Sequence, residues 1–109
     1  MASYFRTKVA KNIGTTNVDV LATAGNNRFT VIGCNLANTT TDAVAVDISV
    51  IDATSVEGFW IKQLLIPANT SAKVITNGEK LILAENCTLR IVSNTTTSID
   101  AVISYAEII

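Results

Sequence analysis

The stretch AVAVDISVI, Ala43 to Ile51, alternates strictly. Val44, Val46, Ile48 and Val50 fall on one side of an extended chain, and Ala45, Asp47 and Ser49 fall on the other. Successive side chains of a β-strand point to opposite faces, so this pattern buries one face and wets the other, as in an antiparallel sheet. The same signature, rich in Val, Ile and Thr, recurs at about residues 3–11, 16–22, 28–36, 58–66, 72–76, 80–84, 87–93 and 99–108, with Gly, Asn, Thr and Ser between the runs. Helical periodicity is absent. A chain of 109 residues has room for one hydrophobic core. The prediction is therefore an all-β fold over residues 1–109: a single antiparallel β-sandwich, immunoglobulin-like or jelly-roll-like, of about eight or nine short strands.

Turn chemistry fits this spacing. Asn77-Gly78 lies between Val74-Ile75 and Leu81-Ile82 and predicts a tight type I′ hairpin, because Asn and Gly tolerate the two positive φ angles it needs. Pro67, the only proline, should end the strand FWIKQLLI, and Ala24–Asn27 should form another turn. CNLANTTTDAVAV from Cys34 and CTLRIVSNTTTSIDAVI from Cys87 share an order of cysteine, Asn-Thr-Thr-Thr and Asp-Ala-Val, which suggests two related hairpins. Asn and Thr also bond local backbone and stabilise turns, which accounts for the echo without any repeat. The last alternating run, SIDAVISYAEII, must either pair internally to close the sandwich or add to a sheet of a neighbouring subunit.

Composition limits the partners. Hydrophobic residues make up 49% of the chain and charged ones 16%, with Thr, Asn and Ser in place of the missing charge. Such a weakly self-repelling surface suits a protein packed among neighbours. Eight basic and nine acidic residues are spread along the chain, so neither nucleic acid nor an anionic membrane is an expected partner. The opening MASYFRTKVAKN has no apolar centre, and no targeting signal or membrane span is expected. Four Asn-x-Ser/Thr triplets, from Asn38, Asn69, Asn86 and Asn94, are read as a product of this composition rather than as glycosylation sites.

Reactive groups are scarce. The chain has no histidine, which removes the commonest general base and metal ligand. Cys34 and Cys87 are too few for a structural zinc, and they stand either as reduced buried thiols or as a disulfide. Five glycines are scattered singly, so no phosphate-binding loop is present. Asp42, Asp47 and Asp52 lie five residues apart, which alternates strand faces and aligns no acid–base pair. No catalytic residue, metal or cofactor is expected, and the protein is read as a non-enzyme.

Surface candidates remain. Tyr4, Arg6 and Lys8 form a small basic stripe opposite Phe5, Thr7 and Val9, either a wet face or a dock for an acidic neighbour. Phe59 and Trp60 are adjacent and point to opposite faces, so either one fills the core while the other faces solvent, a second sheet or a partner, or the packing of the sandwich buries both. The candidate interface residues are Tyr4, Arg6, Lys8, Trp60, Tyr105, Ile108 and Ile109, with association through strand edges near Ser3–Val9 or Ile99–Ile109.

From Leu65 to Ile108 the chain carries Pro67, Gly78, a Lys80-Leu81-x-Leu83 strand and a final Asp100-x-Val102-x-Ser104-Tyr105-x-Glu107-Ile108 strand. In these features it resembles a group of small structural proteins of tailed bacteriophages; it departs from them where Asn86-Cys87 replaces a Gly-Asp turn. The resemblance implies a non-enzymatic virion component, a capsid decoration or neck and collar protein, assembled in the bacterial host cytoplasm. Its implied partners are major capsid, portal, neck or tail proteins and further copies of itself. The alternative is a host-surface or glycan-binding module of a tail or head fibre, suggested by the Thr- and Asn-rich loops and a spare aromatic.

Overall fold

The structure, a computed structural model, describes residues 2–75 and 79–109. Nine strands and no helix form among them: β1 (Ser3–Ile13), β2 (Val18–Ala22), β3 (Arg28–Asn38), β4 (Val44–Ile51), β5 (Glu57–Ile66), β6 (Ser71–Lys73), β7 (Leu81–Leu83), β8 (Thr88–Ser93) and β9 (Ile99–Ile108). They make two antiparallel sheets. Sheet A has the order β1-β9-β3, with β6 and β7 both on the far side of β3; sheet B has the order β2-β8-β4-β5. The all-β sandwich expected from the alternation is the fold of the chain.

The pairing follows one rule. β4 pairs with β5, β3 with β6 and β7, β2 with β8, and β1 with β9. The chain is thus a long antiparallel ribbon with its tip at the β4–β5 turn, wrapped so that successive rungs fall in opposite sheets. Two further ladders, β3–β9 and β4–β8, close each sheet. Of the two sandwich types expected, this order is the jelly roll.

Two local expectations differ from the structure. The Asn77-Gly78 turn lies outside the described residues, but its flanking strands do not pair with each other. β6 faces Asn35–Ala37 and β7 faces Phe29–Val31, so the two lie in line along β3. The Asn-Thr-Thr-Thr segments are arches between sheets, since β3 and β9 belong to sheet A while β4 and β8 belong to sheet B. The only hairpin among the described residues is the β4–β5 turn, where Asp52 Oδ1 accepts from the Thr54 and Val56 amides at 2.9 and 3.1 Å.

The arches meet at one end of the sandwich, and their polar side chains hold it together. Asn38 is buried; its Nδ2 donates to the carbonyls of Asp42, Ile66 and Pro67, and its Oδ1 accepts from the Thr40 amide and hydroxyl. The Thr39 amide donates to the Ser98 carbonyl, and the Ser98 amide to that of Ile13. Gly14 packs so closely beneath the last arch that a Cβ there would lie 3.0 Å from the Thr97 nitrogen. The Thr and Asn content thus satisfies crossing backbone that a buried arch would otherwise leave unpaired.

One continuous core lies between the sheets. Val44, Val46 and Ile48 of β4 and Leu89 and Ile91 of β8 face Val31 and Leu36 of β3 and Ile99, Ala101 and Ile103 of β9, all fully buried. Cys34 and Cys87 are buried free thiols, so the disulfide alternative does not apply. β9, with sheet neighbours on both sides, is not an edge: the expectation of association through an Ile99–Ile109 edge is overturned by its pairing with β1 and β3. Ile103→Ala should cost about 2–5 kcal/mol in denaturant unfolding, as a buried side chain cut to a methyl does. On the opposite face of the same strand, Val102→Thr should cost under about 0.5 kcal/mol.

Candidate interaction surface

The two outer faces of the sandwich differ in chemistry. Across sheet B runs the row Asp19, Arg90, Ser49, Phe59. Arg90 Nε donates to Asp19 at 2.7 Å, Arg90 Nη1 lies 3.4 Å from Glu57, and the Ser49 hydroxyl donates to Glu57 at 2.6 Å. One ionic row therefore ties all four strands. Alongside it Lys62 lies 4.2 Å from the centre of the exposed Phe59 ring and 3.8 Å from Asp47. Exposed apolar side chains on this side are Phe59, Leu65 and Val56, all on or beside the edge strand β5, away from the ionic centre of the face.

Across sheet A the corresponding row is Phe5, Ala106, Thr30, Ile82, with no charge. The next rows are Thr7, Ser104, Gly33, also uncharged, and Val9, Val102, Asn35, which meets charge only at its far end, Lys73 of β6. Phe5 is 85% exposed, Ile82 67% and Val9 60%, and Ile32 and Val102 are exposed as well. Charge borders this field, at Arg28, Lys73 and Asp100 among others. An uncharged field with several large exposed apolar side chains is a candidate contact surface.

β1 borders that field and is the outermost strand of sheet A. Its inward side carries Tyr4, Arg6 and Lys8, set opposite Glu107, Tyr105 and Ile103 of β9. Nearly all of β1 is exposed on both sides. Arg6 Nε donates to Glu107 Oε1 at 2.6 Å and the guanidinium lies 5.2 Å from the Tyr4 ring centre, while Asn27 Nδ2 donates to Glu107 Oε2 at 2.9 Å. Hydrogen bonds from Asn27 and then Arg6 hold the Glu107 carboxyl below its ordinary range, and Glu107 raises Arg6 in turn.

Six of the seven interface candidates lie on this β1–β9 pair or at its end, but not on one surface. Tyr105 is buried, its ring centre 4.6 Å from that of Phe29. Ile108 turns to the outer field, and Ile109 exchanges both backbone bonds with Ala2. Trp60 stands apart on β5, half-buried against the core, while Phe59 is the free aromatic. The residues not singled out from sequence are Ile32 and Ile82. Each belongs to the field through strands brought together only by topology.

Sites for chemistry are sparse. At the arch end an open cleft of about 240 Å³ is lined by Asn12, Gly14, Thr15, Thr16, Val18, Thr96 and Thr97, without an aromatic or a charge. Burial pushes the Cys34 thiol up to about 11, which leaves it a poor nucleophile. Among the described residues no group of three or more His, Cys, Asp or Glu could hold a metal ion.

The sequence matches no family model and no curated protein. The fold has counterparts among solved structures. A capsid protein of the Helicobacter pylori bacteriophage KHP30 aligns with TM-score 0.56 at 11% identity, over 100% of this chain and 89% of that one. A protein of Bacillus endospore appendages, disulfide-linked pili, aligns with TM-score 0.56 at 12% identity, over 96% and 86%. A protein of the T13 particle of infectious bursal disease virus aligns with TM-score 0.56 at 9% identity over 96% of this chain, which spans only 30% of that longer one. These likenesses show a shared fold.

Glu107 links charge to the β1–β9 pair. Its folded value lies below the ordinary 4.5, so its contribution is in place above that pH and is lost as the pH falls through the lower folded value. Exchange protection of the Tyr4 and Arg6 amides, corrected for intrinsic rates, should therefore fall on acidification in the wild type. In Glu107→Gln it should be low and flat over the same range.

Proposed function

We propose that this chain is a non-enzymatic structural subunit of a bacteriophage virion, a capsid decoration or a neck and collar component, that binds other virion proteins and copies of itself through the sheet A side. The observation that carries the reading is the contrast between the centres of the two faces: an ionic row that ties all four strands of sheet B, and on sheet A a field without charge that exposes Phe5, Val9 and Ile82. A sandwich of this kind turns its wet face to solvent and buries the other against neighbours. Support comes from the shared fold, which builds a phage capsid, a viral particle and a pilus in the proteins compared. It comes also from the resemblance of the Leu65–Ile108 segment to phage structural proteins, and from the scarcity of reactive groups.

The cysteines favour the virion over a disulfide-linked filament. Both thiols are buried, and no other cysteine is available for a covalent link between subunits. Quantitative mass spectrometry of virions from the phage that encodes the chain tests the reading. Several hundred copies per particle indicate decoration of the capsid, and about a dozen indicate the neck. Absence from purified particles overturns the proposal.

A further inference from the structure

Three of the four sheet edges are blunted. β2 has five residues with a register shift between Asp19 and Leu21. β5 carries two shifts against β4, with Gln63 at φ 57°. The β6/β7 edge is split into two three-residue strands. Bulged, short or interrupted edges resist added strands. β1 is different: from Ser3 to Ala10 it runs in unbroken register with β9.

The free backbone groups of β1 can be assigned. Ala2 and Ile109 exchange both backbone bonds, at 3.1 and 2.8 Å. Antiparallel pairs alternate between bonded and non-bonded, so Tyr4, Arg6, Lys8 and Ala10 point their N–H and C=O groups at β9. Ser3, Phe5, Thr7 and Val9 therefore point theirs away from the sheet, along an edge where no other strand lies. The side chains beside these groups are the exposed Phe5 and Val9 on the outer side, with Arg6 and Lys8 on the inner side.

We infer that the β1 edge, Ser3–Val9, receives an added strand from another polypeptide: an extended segment with apolar side chains against Phe5 and Val9 and carboxylates against Arg6 and Lys8. Main-chain bonds to the outward groups supply affinity, and the side chains supply selectivity. Lys8 makes no ion pair among the described residues, whereas Arg6 is already shared with Glu107, so the first carboxylate belongs opposite Lys8. A second copy's β1 fits less well. Full antiparallel overlap sets Arg6 directly against Arg6, and a slip by two residues toward Val9 sets Arg6 against Lys8, like charges that destabilise a pair; the slip toward Ser3 avoids this but sets Lys8 against Ala2, with no carboxylate opposite it. The inference deepens the sheet A reading above, but its test concerns the edge alone and leaves the virion result independent.

The test uses the full chain and capped peptides of alternating valine and glutamate or alternating valine and lysine. The glutamate peptide should slow exchange of the Ser3, Phe5, Thr7 and Val9 amides and bind at least about tenfold more tightly than the lysine peptide. Thr7→Pro removes an outward N–H that no internal bond uses, so it should keep the wild-type fold and weaken binding about tenfold or more. Lys8→Glu should reverse the peptide preference, and it decides the matter if the proline variant does not fold. Equal binding of both peptides, no binding, or a preference unchanged by Lys8→Glu overturns the inference. So does self-association of the free chain that Thr7→Pro abolishes.

Discussion

The last strand sits in the middle of a sheet. β9 is bonded to β1 on one side and β3 on the other, and its Ile99, Ala101, Ile103 and Tyr105 enter the core. Sheet A is therefore joined only by β9, because without it the strands β1 and β3 have no contact in the sheet. This single constraint accounts for the alternating apolar pattern of Ile99–Ile108. It also leaves β1, the first strand, as the outermost one, with both sides of its length exposed.

From that placement follow the two surfaces. The wrapped ribbon puts strands from both halves of the chain side by side, and only then do Phe5, Val102, Ala106, Ile32 and Ile82 form one field. On the opposite sheet the same wrapping brings Asp19, Arg90 and Glu57 within bonding range. One sequence thus makes a face centred on paired charges and a face centred on uncharged, apolar side chains. The arch end, rich in Thr and Asn, belongs to neither; its polar groups close the crossings of the backbone.

Much of this was legible in the sequence because it is local. The alternation of Val44, Val46 and Ile48 marks β4, and Pro67 stops β5 at Ile66. What was not legible is what depends on partners. Val74-Ile75 and Leu81-Ile82 read as a hairpin, yet their strands pair with β3, since a turn signal says nothing about which neighbour wins. Trp60 is the extra residue of a bulge between the pairs Ile48–Ile61 and Ser49–Phe59, so simple alternation could not fix which aromatic is exposed. The basic stripe of Tyr4, Arg6 and Lys8 was visible as a pattern. That it overhangs the sandwich, with Phe5 and Val9 behind it, was a matter of strand order.

We propose that sheet A is the side buried in assembly. Hydroxyl-radical footprinting of the free chain and of the assembled particle compares the two faces in one experiment. Phe5 and Ile82 should react in the free chain and be shielded in the particle, while Phe59 on sheet B reacts in both. A particle in which Phe59 is shielded and Phe5 stays reactive would contradict it.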